Sequence, residues 1–168
     1  MSNNPKLIGI ISDTHGLLRE EALAALAGSD LIIHAGDVGD PEIIQKLKSI
    51  APVFAVRGNV DTKPWAQALP ETEVIEAGLA TIYVLHDVHA LDLDPAAAGF
   101  HIVISGHSHK AARTEHSGVL FLNPGSAGPR RFQLPVTMAR LDLSKNPWKV
   151  QFVDLLDGAA AQGSRGSV

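Results

Sequence analysis

The sequence predicts an α/β protein in which two packed sheets are flanked by helices. Three observations carry this. Apolar, β-rich runs alternate with helical stretches in the first third of the chain, and hairpin signals punctuate most of the rest. The length of 168 residues favours one domain with room for a proper core.

The elements follow in order. Residues 7–11 form a short apolar run ended by Ser12-Asp13, which suits a buried strand. Residues 19–27 read as an Ala/Leu-rich helix closed by Gly28. Residues 31–33 give a second buried strand. Asp40-Pro41 reads as an N-cap with proline at the first helical position, opening a helix to about Ser49. Residues 53–56 give a third buried strand. This rhythm argues for a parallel sheet with helices on its faces.

After Trp65 the pattern changes. Residues 73–77 and 79–85 are β-rich runs joined at Gly78, a hairpin signal. A short helix is expected over 94–98 and a buried strand over 101–104. Residues 111–116 and 119–123 flank Ser117-Gly118 as a second hairpin, and 136–143 pairs with 148–155 around a turn at 144–147. The later part is expected to be mostly antiparallel. Residues 1–157 are taken as one domain. The tail 158–168 is Gly, Ser and Ala without periodicity and is expected to be disordered.

Composition narrows the function classes. Hydrophobic residues make up 45% and charged residues 19%, ordinary for a soluble globular protein. The net charge is −4, and no basic stripe exists beyond Arg130-Arg131 and the lysines at 46 and 48. Strong binding to a nucleic-acid duplex is therefore not expected. The absence of cysteine excludes disulfides and thiolate metal sites, leaving His, Asp, Asn and water as ligands. The start MSNNPKLIGIIS lacks a signal-peptide pattern, and nothing approaches a membrane span. The expected location is cytoplasmic.

The chemistry-bearing residues stand where the expected strands end. Asp13-Thr14-His15 follows the first strand, Gly36-Asp37 the second, and Gly58-Asn59-Val60-Asp61 the third. His86 follows the strand ending at 85, and Gly106-His107-Ser108-His109 follows the strand ending at 104. Singly, each is an ordinary turn or cap. Together, in this order, they can converge outside the carboxyl ends of strands, where open α/β sheets bind ligands.

The motifs ISDTHG, HAGDVGD, VRGNVD, SGHSHK and NPGSAGPRR cover residues 7 to about 131. In them the chain resembles the calcineurin-like metallophosphoesterases, of the small bacterial and archaeal phosphodiesterase type, which is also similar to the retromer subunit Vps29. The resemblance implies a four-layer α/β/β/α sandwich with a dinuclear site at the C-terminal ends of the strands. It implies one metal on Asp13, His15, Asp37 and His109, and a second on Asp37, Asn59, His86 and His107. Asp37 would bridge the two. Asp37, Asn59, His86 and His107 are the implied catalytic positions. Two divalent ions per chain are expected, manganese foremost, with Ni, Fe, Zn and Mg compatible with the same donors. Two cations about 3.5–4 Å apart can clamp an in-line displacement and bring a bound water's pKa toward about 7. The implied activity is thus hydrolysis of a small phosphodiester by a metal-activated hydroxide. The alternatives are a phosphomonoesterase and a non-catalytic Vps29-like interaction module. The complete ligand set favours an enzyme, and a homo-oligomer is left open.

Two positions depart from the family pattern. Many members have His after the Gly-Asn pair, where it protonates the leaving oxygen; here Val60 stands. Gly commonly follows the ligand equivalent to His86; here Asp87 stands, a residue that tolerates left-handed backbone. Its carboxylate would repel a phosphate unless paired. Among the spare residues, His34 is expected to pack in the core or behind the site, and His101 and His116 to be solvated. His89 is the best spare histidine for a site role. Arg57 reaches either a phosphate or Asp61. Asn123-Pro124-Gly125-Ser126 is either a stiff turn or part of the site surroundings. Arg130 and Arg131 are candidates for binding a substrate phosphate or a neighbouring subunit.

Overall fold

The computed structural model describes residues 4–157; the tail at 158–168, expected to be disordered, lies outside them. Among the described residues, ten strands and two α-helices follow one another. They are β1 (Leu7–Ile11), α1 (Glu20–Leu26), β2 (Leu31–His34), α2 (Pro41–Lys48), β3 (Val53–Ala55), β4 (Thr72–Ala77), β5 (Ala80–Leu85), β6 (Ile102–Ile104), β7 (Ala111–His116), β8 (Val119–Pro124), β9 (Thr137–Asp142) and β10 (Lys149–Asp154). Among the described residues no helix is long and apolar enough to cross a membrane.

The strands form two five-stranded sheets, ordered β10-β9-β1-β2-β3 and β4-β5-β6-β8-β7. In the first sheet β1, β2 and β3 run parallel, and the β9-β10 hairpin adds antiparallel to β1. In the second sheet β5, β6 and β8 are mutually parallel, with β4 and β7 antiparallel at the edges. The antiparallel expectation for the later chain therefore holds for the hairpins and fails for the three central strands.

Strand periodicity explains the layering. Ile8 and Ile10 of β1 point toward the second sheet and meet Ile33, Ile82, Ile102 and Leu122 in the inter-sheet core. Ile11 of β1 and Ile32 of β2 point the other way, against Leu26 of α1 and Ile43 and Leu47 of α2. The fourth layer is thin. Tyr83, Leu85 and Val103 on the outer face of the second sheet are covered by Leu91, Leu93 and Phe100 from the segment between β5 and β6.

Local signals set the boundaries. The Asp40 side chain accepts a hydrogen bond from Glu42 N at 2.9 Å, capping α2 with Pro41 inside it. Ser117 and Gly118 both have positive φ, the two-residue turn whose twist suits a hairpin. Three expectations need correction. No helix forms over 94–98; residues 95–99 are turns, the apolar face that would hold a helix there is missing, and Ala98 N donates to Asp94 O at 2.9 Å. β3 is an edge strand, with Phe54 exposed. Leu79 belongs to the turn at Gly78 and is 91% exposed, so β5 starts at Ala80.

Candidate metal centre

The parallel runs β1-β2-β3 and β5-β6 bring five strand ends to one edge of the sandwich. Five candidate ligands, Asp13, His15, Asp37, His107 and His109, have φ between +48° and +69°. Only two other non-glycine residues among those described, Ser117 and Phe132, share that region. A left-handed residue just past a strand turns its side chain back across the strand ends, at a local conformational cost that surrounding contacts must hold. Glycine makes room for this. A Cβ on Gly58 would overlap Asp37, and one on Gly106 would overlap Ser12 and Asp13.

Backbone hydrogen bonds lock the loops together. Asp13 N donates to Gly36 O at 3.0 Å, His15 N to Asp37 O at 2.9 Å, and Gly106 N to His86 O at 2.9 Å. The Asp13 carboxylate joins the sheets: its Oδ2 accepts from Ser12 Oγ at 2.7 Å and from His107 N at 3.0 Å. Its Oδ1 is buried without a donor and faces His109 Nε2 at 3.3 Å. Asp37 Oδ1 accepts from Val60 N at 2.9 Å. Asp37 Oδ2 lies 3.2 Å from His86 Nε2 and 3.7 Å from His15 Nε2, between two donor groups.

Those groups are Asp13, His15 and His109 on one side, and Asp37, His86 and His107 on the other. Within each, the ligand atoms lie within 4.8 Å of one another. Asn59 Oδ1 joins the second group, 3.0 Å from His86 Nε2 and 3.1 Å from His107 Nδ1. All seven residues read from the sequence are thus brought together.

The donor set fits a pair of cations. His86 gives its Nδ1–H to Ala35 O at 2.7 Å, so in the neutral ring Nε2 carries a lone pair. That lone pair faces the oxygens of Asp37 and Asn59. Acceptors converging on acceptors in a largely buried place repel unless a proton or a metal ion sits among them. The same crowding appears in the ionisation. Burial opposes the charged form of His86, but hydrogen bonds with Asp37 and Ala35 and the nearby carboxylates outweigh it and raise its pKa. Burial likewise opposes ionised Asp37, yet hydrogen bonds from His86 and Val60 draw its pKa down. For His109, burial lowers the pKa, and Arg131 and His15 push the same way against Asp13.

The other residues resolve as follows. His34 is fully buried behind the site, as expected. His101 and His116 are exposed, though His101 Nδ1 accepts from Thr81 N at 3.0 Å. His89 is 89% exposed at its side chain and pairs with Asp87 at 3.1 Å. Arg57 bonds Glu71 at 2.8 Å, and not Asp61. Asp61 instead accepts from Val38 N, Gly39 N and Gly58 N at 2.9–3.1 Å, tying the loop after β2 to the loop after β3. Asp87 has φ −113°, ordinary extended backbone, so the left-handed turn weighed for it does not exist. Asn123 and Ser126 buttress the site: Asn123 Nδ2 donates to Gly106 O at 2.8 Å, and Ser126 Oγ to Asp13 O at 3.0 Å. No local sequence pattern announces the positioning roles of Ser12 and Asp61, although both lie inside the quoted motifs.

The calcineurin-like phosphoesterase superfamily domain matches residues 7–146. The chain is 38% identical over 133 residues to a probable metallophosphoesterase of Methanocaldococcus jannaschii, covering 71% of this chain and 67% of that one. It is 28% identical over 160 residues to a phosphodiesterase of the same organism, covering 84% and 96%. Among solved structures, an archaeal phosphodiesterase superposes with a TM-score of 0.72 at 25% identity, covering 88% of this chain and 99% of that one. Vps29 of Entamoeba histolytica in complex with zinc gives 0.62 at 27% identity, covering 89% and 99%.

Proposed function

The chain belongs to the calcineurin-like phosphoesterase superfamily, and on that premise we propose that it is a metal-dependent phosphodiesterase with a dinuclear centre. Asp13, His15, Asp37 and His109 hold one ion, and Asp37, Asn59, His86 and His107 the other. The observation that carries this reading is the position of Asp37 Oδ2 between the two donor groups, with every other expected donor in place around it. When bound, a pair of divalent cations supplies charge for the phosphate oxygens and acidity for an attacking water.

The chain's own residues do the rest. His86 is held by Ala35 O with Nε2 facing inward, the second partner that fixes a ligating histidine's tautomer. Ser12 Oγ and His107 N fix Asp13 so that its free oxygen faces His109. Asp61 and Ser126 hold the loops whose left-handed residues carry the donors. Val60 follows Asn59 and is 45% exposed, and its aliphatic side chain cannot protonate a leaving oxygen. Diesters with acidic leaving groups are the substrates this site handles best. Manganese is our first choice of metal, and residues 1–157 form the functional domain, in the cytoplasm.

The homologous diesterase and the complete donor set favour an enzyme over a scaffold. Because a Vps29 neighbour is itself described with zinc, metal binding alone does not separate the two, and turnover does. Metal-stripped protein should be inactive on bis(p-nitrophenyl) phosphate and regain turnover with Mn, faster than on p-nitrophenyl phosphate. Undiminished hydrolysis in excess chelator, or none with any of Mn, Ni, Mg and Zn, would defeat the reading.

A further inference from the structure

Two hollows flank the candidate metal centre, and their chemistry is opposite. One, of about 390 Å³, opens beside Asn59, His86 and His107. It is lined by three carboxylates, Glu71, Asp87 and Asp92, against the single cation Arg57, which is itself bound to Glu71. The other, of about 530 Å³, opens beside His109 and is lined by Lys110, Arg131, Phe132 and Leu134 with no carboxylate. Among the described residues, Arg57 and Arg113 pair with carboxylates, whereas Arg131 and Lys110 do not. Two unpaired cations facing a hollow are an attraction for negative charge.

The second hollow also carries an aromatic ring out of place in a folded chain. Phe132 is 94% exposed, and its φ of +52° lies in a region that bulky residues avoid. A strained residue presenting a bare ring beside a reaction centre is a candidate ligand clamp. A flat, polar-edged partner suits it: nucleobases stack on exposed aromatic side chains whatever their hydrogen-bonding edge.

We propose that the hollow between His109 and Phe132 is the subsite for the part of the ester that does not leave, and that it takes a nucleoside bearing a further phosphate. The base stacks on Phe132, and the pendant phosphate lies between Arg131 and Lys110. The leaving substituent then points to the side of Glu71, Asp87 and Asp92, where additional anionic charge is repelled. The substrate class is a nucleotide diester with a second phosphate, oriented by the charge difference across the centre. This assignment rests on the diesterase reading above.

A series with one leaving group isolates it. The substrates are methyl p-nitrophenyl phosphate, thymidine 5′-(p-nitrophenyl phosphate), and the same compound with a 3′-phosphate. With Mn-loaded enzyme, kcat/KM should rise about tenfold with the thymidine, the scale of one stacked base. It should rise about fivefold more with the 3′-phosphate, and this second gain should shrink with added salt. Phe132→Ala should collapse the first ratio toward one, and Arg131→Ser the second. Ratios near one in the wild type, or unchanged in both variants, would overturn the subsite. If no ester turns over, the diesterase reading has failed, and binding decides the subsite separately. Calorimetry with thymidine 3′,5′-bisphosphate should then show weaker binding to both variants, and equal affinity across the three proteins would overturn it.

Discussion

His34 Nε2 lies 2.9 Å from Thr14 Oγ1, and both residues are fully buried. The hydrogen bonds define a direction. Thr14 Oγ1 donates to Val38 O at 2.8 Å, so it accepts from His34 Nε2–H, and His34 Nδ1 accepts from Gly36 N at 3.2 Å. One neutral imidazole thus braces the loop carrying Asp13 and His15 against the loop carrying Asp37. A second ring proton would meet the Gly36 N–H. Burial, opposed by Asp61, lowers the His34 pKa to about 4 from 6.5. The unfolded chain therefore binds this proton first as pH falls. Stability from this source is complete above about pH 6.5, falls as pH drops toward 4, and amounts to roughly 3 kcal/mol at most. His34→Gln keeps a donor for Thr14 and removes the titration. In urea melts with chelator present, the wild type should lose stability between pH 7 and 4.5 faster than the variant. Parallel pH profiles would show that His34 contributes no such term.

Asp37→Asn should be the most damaging conservative change at the centre. Asp37 Oδ2 faces His86 at 3.2 Å and His15 at 3.7 Å, so a lost charge is felt on both sides. Both metal affinities and turnover should fall at least about 100-fold, the upper end of what changes outside the ligand shell cost. Asn59→Ala should empty one position and leave the other. Elemental analysis after dialysis reads this directly. Two ions per chain in Asp37→Asn, with wild-type turnover, would remove Asp37 from the bridge.

Asp87 has more work than its sequence position suggests. One oxygen accepts from His89 N at 3.0 Å and Nδ1 at 3.1 Å, and the other lies 3.8 Å from His107 Nε2. His107 turns Nδ1 toward Asn59 and His86, which leaves Nε2–H facing this carboxylate. A carboxylate behind a ligating histidine orients the ring and strengthens its basicity. Asp87→Gly should therefore weaken the ion at Asn59, His86 and His107 about tenfold, whatever charge it also removes from the hollow beside them. Mn titrations of the two proteins test this. Unchanged affinity with faster turnover would mean that the charge acts on substrate alone and not through His107.

The site was legible because its donors sit at strand ends, where Gly, Asp and His break apolar runs. Asp13, Asp37 and His86 can be placed from that punctuation alone. The braces behind them cannot. Ser126 supports Asp13 from 113 residues away, and Asp61 reaches back to Val38. Such contacts leave no local pattern. The parallel order of β5, β6 and β8 was hidden for a related reason: hairpin signals report neighbours in sequence, and the crossover between β5 and β6 carries only a three-residue 3-10 helix, Val88–Ala90, and no α-helix to announce it.

Val60 is the residue on which the proposed leaving-group preference rests. It follows Asn59, its N–H is spent on Asp37 Oδ1 at 2.9 Å, and the residue is 45% exposed. No proton donor stands at this position, so under the proposed mechanism an alkoxide would have to depart without help from residue 60. A positioned general acid is typically worth about 10²–10⁴-fold. The wild type should therefore cut nitrophenyl diesters far faster than alkyl ones, with a steep dependence on leaving-group pKa. Val60→His puts an imidazole on the same backbone without disturbing the N–H to Asp37. Its rates on poor leaving groups should rise by at least about tenfold, the low end of such catalysis after imperfect placement. Rates on nitrophenyl esters should barely change, because nitrophenolate needs no proton. The leaving-group plot should flatten, and a new basic limb, a fall in kcat/KM as the imidazole loses its proton near pH 6.5, should appear for the alkyl esters only. A slope as steep as the wild type's, in a variant that still binds two ions, would place residue 60 out of reach of the leaving oxygen.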